Sequence, residues 1–519
     1  MSRLAEYGIN FPAVGGRRSS TAVGTRICAE AVASLDPALA ERILGETDWR
    51  HRYPQHIGDL GLVEARSESA ALTVAERGLA AAYAEFVTVS ERGDLSLDSA
   101  HAAADVDLET IEVVGTGEPS RELVIPYRGQ RLRGSALLRQ LDDWVARGIT
   151  EPSFAEALGA VVRNPDWLDL SDRTFGLFGA GSQMGPFSHL MSWGARVAVL
   201  GTVRPTTGER LQAIADSSAG RMLTPVQRTG TAASAATVGV DLVTQTGLLQ
   251  RWLAEVPGPL TLGNYGYLDG ADFVRLSMAF DVCFTGLRRG RDDVSLAYLA
   301  TPADVFLVPG DAVREAQRRY TATTPAQVSA RGVHLLSRGR YLRPNYSGAS
   351  VADTGAGFGL VNAIIPEQGP NYALAKRLQR WRIVLARAAG VLTSVHTAPP
   401  TKTQSVHSNP VMERRQRLTA RLGIETFEAA TSQAIGAAIL VHDLRNPDAP
   451  ANPKVRLEHP HEIFMFAANP GGRWRVPLEP ASSVPVLQAL DTIDTRARSV
   501  ARRVARIRHN GPDTRTHVG

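Results

Sequence analysis

Thr174-Phe-Gly-Leu-Phe178, then Gly179-Ala-Gly-Ser-Gln-Met-Gly185, then Arg196-Val-Ala-Val-Leu200 follow one another in this 519-residue chain. The first and last pieces are short and apolar. Such unbroken runs suit strands buried on both faces. The middle piece is a glycine-rich turn, and the residues after it up to Trp193 read as a helix. Together they predict a strand–turn–helix–strand unit of about 30 residues, the opening of a parallel nucleotide-binding sheet. Glycines let the backbone approach a pyrophosphate, and a helix N-terminus offers free N–H groups and a positive dipole. In the strict G-x-G-x-x-G pattern the third glycine falls at Met184, so the chain reads G-x-G-x-x-x-G.

Outward from this unit, further strands are expected at Asp241-Leu-Val-Thr244, Pro259-Leu-Thr-Leu-Gly263, Val294-Ser-Leu-Ala-Tyr-Leu-Ala300 and Val391-Leu-Thr-Ser-Val395, with helices between most of them. The fold class that follows is α/β, with a doubly wound parallel sheet (Rossmann-like) over residues 166–450. An insertion is expected at about 306–369, with a helix from Pro309 to Tyr320 and a long loop, including Thr354-Gly-Ala-Gly-Phe-Gly359, placed to cover a site. Residues 1–165 read as a mainly helical N-terminal domain, for dimerisation or as a lid. Its helices are expected at Ala70 to Val87, at Ala136 to Arg147, and after Thr150 as cap with Pro152 in the first turn, stopping at Asn164-Pro165. Within it, Glu109 to Val114 and Glu122 to Pro126 are expected to pair as strands. Glu425 to Val441 reads as a buried helix. Residues 451–519 form a C-terminal α/β tail, with a strand at Glu462-Ile-Phe-Met-Phe466 and a basic amphipathic helix from Asp491 to Arg508.

Composition narrows the function classes. Apolar residues make up 44% and charged residues 21%, and the formal net charge is +5. No Lys/Arg block with interleaved aromatics occurs in the body of the chain, so no nucleic-acid partner is expected. Cys28 and Cys283 give neither a disulfide framework nor zinc spacing. His459-Pro-His461-Glu462 has metal-like residue types in poor ligand geometry, and no metal is expected. The N-terminus lacks the apolar run of a signal peptide and no stretch is long enough to span a membrane, so a cytoplasmic protein is expected.

Only three of the 57 basic residues are lysines: Lys376, Lys402 and Lys454. Where Arg supplies nearly every generic positive charge, a surviving Lys asks for a reason. An ammonium is a compact charge whose titration couples to its neighbours. Lys376 follows Tyr372 by four residues, which puts phenol and ammonium on one helix face. An ammonium about 4 Å away at an effective dielectric of about 20 is worth roughly 4 kcal/mol. That equals about three pKa units, bringing a phenol from about 10 to near 7, where acid–base groups work best.

In this order and spacing the chain resembles the short-chain dehydrogenase/reductase superfamily over roughly residues 172–445. Gly179 and Gly185 match the first and last glycines of the family's T-G-x-x-x-G-x-G turn, with Phe178 in place of the Thr and Gln183 in place of the middle glycine. Gly263-Asn264-Tyr265-Gly266 stands where the family has N-N-A-G, Tyr372-x-x-x-Lys376 matches its Y-x-x-x-K, and Thr397-Ala-Pro399-Pro400-Thr401-Lys402-Thr403 looks like its loop over the nicotinamide. The resemblance implies hydride transfer between NADP(H) and a carbonyl or alcohol, with Tyr372 as acid–base and Lys376 lowering its pKa and holding the nicotinamide ribose. It implies cofactor contacts at Gly179, Gly181, Ser182, Gln183, Met184, Gly185, Asn264, Gly266, Pro399 and Thr401. After the second strand, Thr202 stands where a carboxylate would favour NAD, and Arg204 suits a 2′-phosphate, so NADP(H) is expected over NAD(H). The family's Ser would fall at Gly359. Thr301 is the expected substitute if the insertion follows the fifth strand, with Ser347 and Thr354 as alternatives. The family's helical Asn has only Asp272 and Ser277 as polar options. A hydrophobic or acyl-type substrate and a homo-oligomer are expected, and His396 and His407 flank the loop at Pro399. Two other readings share the scaffold: an epimerase or dehydratase, and a non-catalytic NAD(P)-binding regulatory or interaction protein.

Overall fold

The computed structural model describes residues 6–102, 108–201, 204–227, 239–346 and 357–492. At its centre is a seven-stranded sheet. Its strands are β1 (Leu108–Val114), β2 (Thr174–Phe178), β3 (Arg196–Leu200), β4 (Arg221–Gln227), β5 (Leu260–Asn264), β6 (Val294–Ala300) and β7 (Thr393–Thr397). Their spatial order is β7-β6-β5-β2-β3-β4-β1. All neighbours are parallel except β4 and β1, which pair antiparallel from Arg221 opposite Val114 to Gln227 opposite Leu108. The chain runs outward from β2 through β3 to β4, then returns to β5 on the other side of β2. Sheets of this kind bind ligands outside the strands' carboxyl ends, where the order reverses. Here that crevice lies between β2 and β5, where Phe178 is level with Asn264.

The inner strands are covered on both faces, which is why β2, β3, β5 and β6 read as apolar runs, whereas the edge strand β1 exposes Glu109, Thr110 and Glu112. Side chains alternate along a strand. Phe175, Leu177, Val197 and Val199 enter one apolar core, while Phe178, Ala198, Leu200, Leu260 and Leu262 enter the other. The helices that matter for the site are α1 (Ser20–Val32), α2 (Trp49–Glu64), α3 (Glu68–Glu85), α4 (Pro152–Arg163), α5 (Ala271–Leu287), α6 (Pro370–Ala388) and α7 (Ala429–Arg445). On one face α5 packs on α6, and α1, α2 and α3 pack on α6 in turn. On the other, α7 packs on β7 and α4. The N-terminal helices thus share one core with the sheet. Gly78 permits this closeness, because a Cβ there would lie 2.5 Å from the Trp381 ring.

Several expected elements differ. Residues 241–244 form a turn, not a strand: the Asp241 carboxylate accepts from the Thr244 N–H and hydroxyl, both at 2.9 Å. Such local side-chain bonds compete with a ladder. Residues 221–227 form a strand that the sequence pattern does not announce, because Pro225 interrupts it. Pairing with β3 ends at Leu223, so Pro225 needs only its β1 neighbour. Glu109 to Val114 does not pair with Glu122 to Pro126. It is β1, at the edge of the central sheet, while Ile125–Tyr127 pairs with Gln130–Leu132 through Arg128 and Gly129, both at positive φ. Residues 460–464 form a 3-10 turn in place of the expected strand. The His459 Nδ1 accepts from the His461 N–H at 3.0 Å, and Glu462 accepts from the His459 N–H at 2.5 Å. The helix after Thr150 starts at Pro152 with Glu151, not Thr150, at its boundary.

The insertion does follow β6. Val305–Pro309 and Phe358–Asn362 form an antiparallel hairpin, with helices Gly310–Thr321 and Pro325–Leu336 between them. Gly359, the family's Ser position, sits inside that hairpin opposite Val308. Ser347, Thr354 and Thr202 lie outside the described residues, as does the expected basic helix from residue 493 onward. Among the described residues no helix is long and apolar enough to cross a membrane.

Candidate functional site

The glycine turn begins where β2 ends. Gly179 has a φ of +80°, and a Cβ there would lie 2.6 Å from the backbone of Gly266. The Tyr265 N–H donates to the Phe178 carbonyl at 2.9 Å, so the turn and the end of β5 are pressed together. The turn is also closed on itself. The Ser182 N–H bonds the Gly179 carbonyl at 2.8 Å, the Gly185 N–H bonds the Ser182 carbonyl at 3.1 Å, and the Met184 N–H bonds the Ser182 hydroxyl at 3.3 Å. Arg210 caps the Gly181 carbonyl, and Gln433 caps that of Gly185. The following helix is only Phe187–Ser192, preceded by Pro186, which has no N–H. The expected cradle of free amides is therefore reduced. Those of Ala180, Gly181 and Gln183 have no hydrogen-bond partner among the described residues. Arg204 is exposed just before the helix that follows β3.

Asn264 ends β5 and is 4% exposed, yet its Nδ2 has no partner. A buried amide in that state awaits an acceptor or holds strain. Beyond it, the Tyr267 ring lies 6.2 Å from that of Tyr372, and Phe273 of α5 lies 5.6 Å from Tyr372. Tyr372 begins α6 near Thr301, which follows β6 and acts to lower the pKa of the phenol. The Lys376 Nζ donates to the Leu299 carbonyl at 3.0 Å and to Gln379 Oε1 at 2.9 Å, and it lies 5.6 Å from the centre of the Phe273 ring. Gln379 in turn donates to the Ser277 hydroxyl at 3.0 Å. Tyr372, Thr301 and Lys376 thus meet at the end of β6. Of the two polar options on α5, Ser277 joins this group, whereas Asp272 pairs with Arg275.

The electrostatics depart from expectation. Burial pushes the Tyr372 phenol up to about 12, against the lowering influence of the Thr301 hydroxyl. Burial pushes Lys376 down to about 8, while Asp304 acts to raise it. Lys376 does not bring the phenol near 7, because its ammonium is spent on Leu299 and Gln379.

The loop after β7 also departs. The Thr401 hydroxyl, expected over the nicotinamide, bonds Ser432 at 2.7 Å and the Pro399 carbonyl at 2.9 Å. The same loop does reach the glycine turn, since the Gln404 N–H donates to Gln183 Oε1 at 2.6 Å. His396 is buried in β7, held well below the usual imidazole range at about 3 by desolvation, and His407 is exposed. A cavity of about 380 Å³ lies elsewhere, against Pro309, Asp311, Phe358 and Met465.

Sequence reasoning missed the charges that hold α6 in place. Arg377, fully buried, donates to Glu64 at 2.7 Å and to Asp304, and the Trp381 indole donates to the other oxygen of Glu64 at 2.9 Å. With fold and site described, the chain is an α/β protein built on a mostly parallel seven-stranded sheet. Comparison with protein families and with curated proteins gives no match.

Proposed function

We propose that this chain is an NADP(H)-dependent oxidoreductase of short-chain dehydrogenase/reductase type, reducing a carbonyl group with Tyr372 as the proton donor. The observation that carries this reading is the meeting of Tyr372, Thr301 and Lys376 at the carboxyl end of β6, one strand from the crevice where Gly179 touches Gly266. The residues there fit a dinucleotide. The unpartnered Asn264 amide and the Ala180, Gly181 and Gln183 N–H groups would hold it, with Arg204 near a 2′-phosphate. NADPH, when bound, supplies the hydride. Tyr372 keeps its proton at neutral pH, which suits a donor to a carbonyl oxygen and favours reduction over oxidation. Thr301 orients the phenol. Lys376, anchored on the Leu299 carbonyl, keeps a positive charge beside the site at neutral pH. The Phe273 and Tyr267 rings pack against that of Tyr372.

A non-catalytic cofactor-binding protein is favoured by one observation, the commitment of the Lys376 ammonium to groups other than the phenol. NADPH titration followed by a panel of carbonyl compounds separates the two. The reductase reading expects saturable binding and NADPH consumption that falls about 10²- to 10⁴-fold in Tyr372→Phe. Binding without turnover on any compound contradicts it.

A further inference from the structure

Buried hydrogen-bond donors near the carboxyl edge of β6 and β7 are left without acceptors. Asn469 is fully buried, and its N–H donates to the Thr397 carbonyl at the end of β7 at 2.9 Å. Its Oδ1 accepts from the Gly471 N–H at 3.2 Å, which fixes the amide and leaves Nδ2 without a partner. Gly471 is packed on the loop after β7, where a Cβ would lie 2.7 Å from Pro400. Two residues on, Arg473 is 4% exposed and reaches toward β6. Its Nη1 donates to the Ala363 carbonyl at 3.1 Å, and the Ala363 N–H donates to the Asp304 carbonyl at 2.9 Å, in the turn that begins at Thr301. The Arg473 Nε has no partner. Arg473 also has no carboxylate partner among the described residues, and the charge that acts on it is a second buried cation, Arg415. Arg415 spends Nη1 on Glu367, at 2.8 and 3.0 Å, and its Nε is likewise unpartnered. Glu367 lies in the short helical turn Pro366–Gln368, which leads straight into α6 and Tyr372.

A buried guanidinium without a counter-ion is costly, and its planar fork matches a carboxylate. We infer that Arg473, with Arg415 and Asn469, forms a carboxylate-recognition subsite beside Tyr372, so that the substrate is an oxo acid and not a neutral ketone. This rests on the reductase reading for the word substrate, though the anion site itself does not need it.

Two measurements on the full chain test it. The first is the unfolding midpoint with malonate as probe, with and without NADPH. Malonate is expected to raise the wild-type midpoint and to leave that of Arg473→Met unmoved. No malonate shift in the wild type overturns the inference, as does a shift with inorganic phosphate and none with malonate. A malonate shift in a protein that fails to bind NADPH upholds the anion site and removes the reductase reading. The second compares a medium-chain 3-oxo acid with its methyl ester. Wild type is expected to prefer the acid by at least about tenfold in kcat/KM, the scale of one charged hydrogen bond. That preference is expected to vanish in Arg473→Met and to return in part in Arg473→Lys. Equal use of acid and ester by the wild type contradicts the inference, and this comparison stands even if Arg473→Met does not fold.

Discussion

The two sides of the crevice are built differently. On the β2 side the glycine turn closes on itself through its own amides, and its glycines serve close packing as much as any ligand: Gly179 against Gly266, Gly181 against Thr207. On the side running from β5 to β7, Tyr372 and Lys376 sit among buried charges, and donors on Asn264, Asn469 and Arg473 are left open. A glycine-rich turn is therefore not, by its composition, a phosphate site. What marks a site is polar capacity that the fold has buried and not used.

This contrast can be broken or sharpened. The largest expected effect on stability is at the clamp behind the open side. Arg377→Met leaves Glu64 and Asp304 buried without their partner, and removing one member of a buried pair costs about 3–5 kcal/mol. Denaturant unfolding reads this directly, and a loss within about 1 kcal/mol would mean the clamp is not what holds α6. Next is Gly179→Ala. It forces a left-handed backbone on Ala and drives a methyl into the backbone of Gly266, at an expected cost of about 1–3 kcal/mol. An unchanged midpoint would mean that the turn does not pack as described.

A different kind of test is a pH effect at Lys376. Its pKa is pushed from the ordinary lysine value of 10.5 down to about 8 in the folded chain. Between those values the unfolded chain holds more protons, so stability rises with pH there and is lost as pH falls through about 8. Lys376→Met is expected to lack that rise. Parallel curves for the two proteins from pH 8 to 10.5 would contradict the burial of the ammonium. The smallest effect is expected at Arg210→Ala, which removes an exposed cap from the Gly181 carbonyl. A change of about 0.5–1.5 kcal/mol is expected, in line with one hydrogen bond.

Much of the sheet was legible because its strands are buried on both faces and so read as unbroken apolar runs: β2, β3, β5 and β6 lie where those runs fall, and β7 is shifted by two residues. What was not legible has local causes. Pro225 hid β4, the Asp241 side chain turned an apolar pair into a turn, and Pro460 with the His459 cap turned Glu462 to Phe466 away from a strand. At the site, the helical spacing of Tyr372 and Lys376 was readable, and so was Thr301 as the residue closing β6. The direction of the Lys376 ammonium was not. It depends on Leu299 and Gln379, and a spacing of four places two side chains on one face without saying which neighbour each will bond. Arg377 and Arg473 were hidden among the arginines of an Arg-rich chain, where nothing in the sequence separates a buried guanidinium from a solvated one.

The most direct test is a crystal structure of the full chain grown with NADPH. The account predicts the dinucleotide across the carboxyl ends of β2 and β5, with its nicotinamide against Tyr372 and its amide or ribose oxygens on Asn264. A cofactor bound elsewhere, or a crevice that stays filled by the glycine turn at saturating NADPH, would contradict it.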